Sequence, residues 1–213
     1  MVAGRVRGTD RTFEPIHRLA DGTQLRLDLI GPSDRRDLVA GFTGLSRRSR
    51  YLRFFSAMPT LPGALLGSLL NTDTDHHVAI GARLIYADGG VIAPIIGVAR
   101  YFRVADGTVD TAEPAVAVVD RLHGRGLGRL LLNALTRHAR SRGITKMRAH
   151  ALADNARIRA ILAASEAVLV ERDGPVVVYD VDIRSRRHRD SLVELGKMYR
   201  EPNGNTSPKD HDR

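Results

Sequence analysis

The stretch "HGRGLGRLLLNAL", residues 123–135, sets glycines at 124, 126 and 128 directly ahead of leucines at helical spacing. The first four backbone N–H groups of a helix have no internal partner and sit at the positive end of its dipole, so a turn of this kind is an anion site. Glycine lets a diphosphate approach the amides closely, and Arg125 and Arg129 add positive charge around them. Spacing excludes two common phosphate loops. A G-x-G-x-x-G fingerprint would need glycine where Arg129 or Leu131 stands, and no Gly-Lys-Ser/Thr triplet follows for a nucleoside triphosphate loop. The residues from Gly124 through Gly126, Leu127, Gly128 and Arg129 therefore form the first candidate site.

Other groups that could do chemistry are few. Glu113 stands in "DTAEPAVAVVD", just ahead of the glycine turn, with Asp110 as a second carboxylate, and on residue type alone either is a proton acceptor or a solvated strand-end acid. His76 and His77 are adjacent rather than alternating and no acidic constellation completes a ligand set, so no metal site is expected. The absence of cysteine removes disulfides, thiolate zinc sites and a cysteine nucleophile. Asp154 or Asn155, opening "DNARIRAIL", is a helix N-cap or a ligand contact.

The elements that must carry these groups follow from hydrophobic period. Residues 1–20 are polar and aperiodic and read as a flexible lead-in. "TQLRLDLI" alternates as a strand, and "GPSDRRDLVAGFTGL", "SRRSRYLRFF" and "PGALLGSLLN" read as three helical pieces. "HHVAIGARLIYADGGVIAPIIGVARYF" reads as two strands joined at Asp88-Gly89-Gly90, with Pro94 shortening the second. A strand through "AEPAVAVVD" leads into the glycine turn. Leu127, Leu130, Leu131, Ala134 and Leu135 then give one apolar helical stripe. A strand "ITKMRAHAL", a short helix and two strands around Asp173-Gly174 complete a domain ending near Ile183. The order predicts an α/β domain over 21–183 with one mixed sheet and without regular βαβ alternation, hence not doubly wound. Residues 184–213 read as a basic extension, a possible short helix followed by a tail of disordered composition.

The 213 residues carry a formal net charge of +9, which would suit an anionic partner but is partly concentrated in runs such as "RSRRHR" at 184–189. No stretch is long and apolar enough for a membrane span and no signal core follows the N-terminus, so a cytoplasmic protein without a membrane partner is expected.

"VAVVDRLHGRGLGRLLLNAL" resembles the acetyl-CoA-binding motif of the GNAT N-acetyltransferases, Q/R-x-x-G-x-G/A between a strand and a helix. The resemblance implies a mixed, mostly antiparallel sheet splayed at its fourth and fifth strands with helices on both faces. It implies that residues Gly124 to Arg129 wrap the pyrophosphate of acetyl-CoA, the acyl donor. The backbone of Val116, Ala117 and Val118 would pair with the pantetheine arm, and Asn155 would touch the cofactor. His123 stands where the family has Gln or Arg. "LSRRSRYLRFF", "HHVAI" and "GVARYF" further resemble bacterial Pat-type protein lysine acetyltransferases over roughly 20–183. That likeness carries the role of general base to Glu113 and implies a protein lysine as acceptor. Tyr51, Arg53, Phe54 and Phe55 are read as a wall over the acceptor site or as helical core residues rather than as chemical groups, and a homodimer is a further possible partner.

The sequence departs from this pattern in two places. Pro114 follows Glu113, and no tyrosine stands near Leu162, where many members place a general acid. A small-molecule amine acetyltransferase, or a noncatalytic acyl-CoA-sensing or nucleic-acid-binding module, are the alternatives; nucleic acid is the less expected partner.

Overall fold

The computed structural model describes residues 12–73, 75–85, 91–104 and 110–184. Eight strands form one sheet in the order β1-β2-β3-β4-β5-β6-β8-β7. They are β1 (Thr12–Arg18), β2 (Gln24–Leu29), β3 (His77–Ile85), β4 (Val91–Arg103), β5 (Thr111–Val118), β6 (Lys146–Leu152), β7 (Val168–Asp173) and β8 (Val176–Asp182). Among the described residues five α-helices accompany them: α1 (Arg35–Thr43), α2 (Arg47–Phe54), α3 (Gly63–Leu70), α4 (Leu127–Ser141) and α5 (Ala156–Ala164). Every strand pair is antiparallel except β5–β6, which is the mixed topology expected.

Two apolar clusters lie on opposite faces of the sheet. On one, Leu127, Leu131 and Leu135 of α4 are essentially inaccessible against Ala99 and Tyr101. Burying each of these leucines is worth about 2 kcal/mol relative to exposure. On the other, Leu38 of α1 and Leu66, Leu69 and Leu70 of α3 pack on Ala79 and Ile95. Close approach there depends on Gly41, where an added Cβ would lie 2.5 Å from the carbonyl oxygen of Ile95.

Two expectations need correction. The lead-in is not wholly outside the sheet: Thr12–Arg18 pairs with β2 as an edge strand, through a register shifted twice along its length. Its irregular pairing explains why no clean alternation marks it in the sequence. Pro94 does not shorten β4. Ala82 pairs with Gly97 and Leu84 with Ile92, so residues 93–96 face Arg83 alone and Pro94 sits in a bulge where the ladder asks for no N–H. The turn at Asp88-Gly89-Gly90 and the extension from 185 onward lie outside the described residues. Among the described residues no helix is long and apolar enough to cross a membrane.

Candidate active site

β5 and β6 pair at only two positions, Thr111↔Lys146 and Ala112↔Met147. Asp110 secures that end: its carbonyl accepts from the Thr145 and Lys146 amides and its carboxylate accepts from the Thr145 hydroxyl. The Thr145 bond chiefly holds the Asp110 carboxyl below its usual range. Beyond Ala112 the strands part, and Glu113 is the next residue.

Strand alternation decides which groups face the opening. The Val119 N–H donates to Ile96 of β4, so the polar backbone groups of Ala117, two residues earlier, also point to β4, while those of Val116 and Val118 point into the gap. An extended ligand in the gap would therefore meet the backbone of Val116 and Val118, and not that of Ala117 as expected, which turns its polar groups to β4. Pro114 shares the direction of Val116 and Val118, toward a place where β6 has already left. Its missing N–H costs the sheet no bond.

The Val118 carbonyl is already bonded. His123 Nε2 lies 2.8 Å from it, and Arg157 Nη1 of α5 lies 3.0 Å from His123 Nδ1. With Arg157 donating to Nδ1, the ring carries its proton on Nε2 and donates to Val118. The side chain of His123 thus closes the strand–turn junction, leaving the Val118 N–H as that residue's open polar group. Arg157, unremarked in the sequence, brings α5 to the glycine turn.

Gly124 and Gly126 adopt φ of +75° and +87°, the left-handed region that disfavours a side chain. Gly126 is the N-cap of α4 and makes no side-chain cap bond. Gly126 O accepts from the Leu130 N–H, and the amides of Leu127 and Gly128, in the first turn before it, point outward. Gly128 has no unusual φ, and a Cβ there would meet Val118 Cγ2 at an ordinary 3.7 Å. Arg125 pairs with Asp21 at 3.1 Å and so ties the β1–β2 turn to the loop. These features fit a diphosphate.

Asn155 is nearly buried, and its side chain caps α5 by accepting from the Ile158 N–H at 3.3 Å. Leu162 is buried in the core, so α5 offers no proton donor at that place.

Glu113 faces the α1–α3 side together with Ala115 and Ala117, opposite Phe102, Arg100 and Val98 of β4. Its side chain is half exposed, and His150 Nε2 of β6 stands 3.6 Å from Oε1 across the gap. That distance is an electrostatic contact rather than a hydrogen bond. The sequence reading missed His150, although alternation in "KMRAHAL" puts it on one face with Lys146 and Arg148.

The adjacent histidines part company. His76 is exposed, 3.3 Å from Asp73, whereas His77 is buried and stacks on Phe102 at 3.9 Å. Arg53 and Phe54 of α2 line a cavity with Phe42, Val98, Arg100 and Ala117, while Tyr51 and Phe55 are exposed beside it.

A mixed sheet opened at one parallel pair, with an uncapped glycine turn at the head of the following helix, defines an acyl-CoA-dependent acetyltransferase fold. The chain belongs to the GNAT acetyltransferase family, whose model matches residues 51–163. It is 34% identical over 154 residues to acetyltransferase Pat of Mycolicibacterium smegmatis, a match spanning 71% of this chain and 44% of that protein. The GNAT domain of S. lividans PAT superposes with a TM-score of 0.71 at 26% identity, covering 80% of this chain and 97% of that one. A PaiA N-acetyltransferase from Thermoplasma acidophilum, solved with coenzyme A, shares the fold at TM-score 0.55 and 13% identity, over 74% of this chain and 98% of its own.

Proposed function

We propose that this chain transfers an acetyl group from acetyl-CoA to a protein lysine side chain by direct attack, with Glu113 as general base. The observation that carries the proposal is the β5–β6 pairing that stops at Ala112↔Met147, so that Glu113 stands on one lip of the gap and the Val116 and Val118 amides line it. The pyrophosphate of acetyl-CoA binds at Gly124, Arg125, Gly126, Leu127, Gly128 and Arg129, on the outward amides of α4. Its pantetheine runs along Val116 and Val118 as a substitute strand.

An ammonium has no lone pair, so the acceptor must first lose a proton, and the Glu113 carboxylate takes it. The neutral nitrogen attacks the thioester carbon, the Val118 N–H stabilises the developing oxyanion, and the C–S bond breaks. A thiolate is a fair leaving group, and through solvent it takes up the second proton that the attacking nitrogen sheds as the amide forms. His123 acts by tying up the Val118 carbonyl, which would otherwise repel the oxyanion. Asn155 acts by setting the start of α5, which delivers Arg157 to His123. The protein acceptor rests on the likeness to Pat.

The test is incubation of the full chain with acetyl-CoA and a purified lysine-rich protein, read by mass spectrometry, beside a panel of free amines. Acetyl-lysine in the protein supports the reading. Labelling confined to free amines would replace the protein acceptor with a small molecule.

A further inference from the structure

Arg83 and Arg100 are both buried arginines, 7% and 3% exposed, and they are treated in opposite ways. Arg83 meets three carboxylates: Asp34 at 2.7 Å, Asp28 at 3.4 Å and Asp37 in a short hydrogen bond. Among the described residues no carboxylate pairs with Arg100, although it lines the cavity beside the gap. Arg53, from α2, lines the same cavity; its guanidinium lies 4.7 Å from the Phe54 ring centroid, and it too has no carboxylate partner among the described residues.

Taking a guanidinium out of water costs several kcal/mol unless charge and hydrogen bonds compensate. The chain meets part of that cost for Arg100 with an oriented network. Asn71 O accepts from His77 Nδ1 at 2.8 Å, which leaves the His77 Nε2 lone pair to accept from Arg100 Nη1 at 3.1 Å. The same Nη1 donates to Leu69 O at 2.8 Å. Both of its hydrogens are thus used, while Nη2 and Nε have no hydrogen bond among the described residues. Burial, reinforced by the charge of Arg53, lowers Arg100 to about 9, and burial lowers Arg53 to about 10. Both remain cations at neutral pH.

Placement gives the pair a role. Arg100 stands opposite Ala115 on β5, and Glu113 is the next residue on that face, so Arg100 and Glu113 are diagonal neighbours roughly 7–8 Å apart. Ala115 puts only a methyl group opposite Arg100, and Phe102, the next residue of β4 on that face, stands opposite Glu113. A planar, forked donor fits a carboxylate with two parallel bonds, which an ammonium cannot do.

We infer that Arg53 and Arg100 form a carboxylate-binding subsite beside the acyl-transfer gap, so that one of the two substrates carries a carboxylate close to its reacting group. The inference rests on the acetyltransferase reading for its place in the reaction, but the binding of a carboxylate does not. The carboxylate belongs either to the acceptor, as an acidic group near its amine, or to the far end of a dicarboxylic acyl group on the donor.

Two kinetic comparisons separate these sources. With acetyl-CoA, Nα-acetyl-lysine is set against its carboxamide, which has the same ε-amine and lacks the carboxylate. With the carboxamide as acceptor, succinyl-CoA is set against acetyl-CoA. The expected result is a tenfold or greater kcat/KM preference for the charged substrate in one comparison, falling to within twofold in Arg53→Gln and partly kept in Arg53→Lys. Unchanged ratios in both variants, or no preference in either comparison, overturn the subsite.

Absence of transfer with every pair would count against the acetyltransferase reading, and a binding measurement then decides the subsite alone. Glutarate at constant ionic strength should raise the Tm of the wild-type chain and leave that of Arg53→Gln where it was. No shift in the wild type, or equal shifts in both, overturns it.

Discussion

Replacing Gly128 by alanine separates a glycine kept for the backbone from one kept for a ligand. Gly128 is the second residue of α4, its φ is ordinary, and an added methyl would touch only Val118 Cγ2 at 3.7 Å. Nothing in the folded chain opposes the change. Alanine in a helix is favoured over glycine by about 0.5–1 kcal/mol, with the low end appropriate to a first turn. At about 2–4 °C per kcal/mol for a chain of this size, the Tm should rise by about 1–3 °C. If the outward N–H groups of Leu127 and Gly128 hold the pyrophosphate, the same methyl stands in their mouth. Losing one charge-assisted bond costs about 1.5–3 kcal/mol, or roughly 10- to 150-fold in Kd for coenzyme A. Calorimetric titration with coenzyme A beside a thermal melt reads both quantities. A raised Tm with unchanged affinity would refute the cradle, because the methyl would then be in place and the diphosphate elsewhere.

Two further predictions follow from the same geometry. Glu113→Gln should lower kcat about 10²- to 10⁴-fold with acceptor and donor saturating, the usual worth of a positioned base, and should leave the Tm unchanged because the side chain is half exposed; a kcat within a few-fold of wild type would move the base elsewhere. Stability in urea should fall on acidification in two stages. Burial holds the folded-state pKa of His77 and His138 below 6.5, so between neutrality and about pH 5 the unfolded chain binds protons that the folded chain does not, and unfolding is favoured. Asp73 is lowered to about 2, first by the His77 backbone N–H, so its contribution is present above about pH 4 and lost toward pH 2. Stability that is flat or rising from pH 7.5 to 5 would refute the first stage, and a His77→Gln chain should show a shallower slope there.

The leucine stripe of α4, the alternating strands and the glycine turn ahead of α4 were legible because each is a local property. A helix face repeats every three or four residues, and a glycine turn is set by its own backbone angles, so "HGRGLGRLLLNAL" carries its meaning without the rest of the chain. Other features depend on which strand lies beside which. β1 went unread because its pairing with β2 slips twice. Pro114 and Pro94 looked like faults in strands, and only the register shows that one faces the gap and the other a bulge. His123 was legible as a polar residue at the loop, but its bonds to Val118 and Arg157 required α5 to return across the turn.

The sequence by itself determined the glycine turn, the glutamate ahead of it and the α/β order of elements, since these rest on short spacings along one segment. Tertiary structure alone decided that β5 and β6 separate just before Glu113, that His150 faces it across the opening, and that Arg53 and Arg100 share a cavity with no acid among the described residues that line it. Each of those facts joins residues tens of positions apart, and only packing turns such distances in sequence into contact.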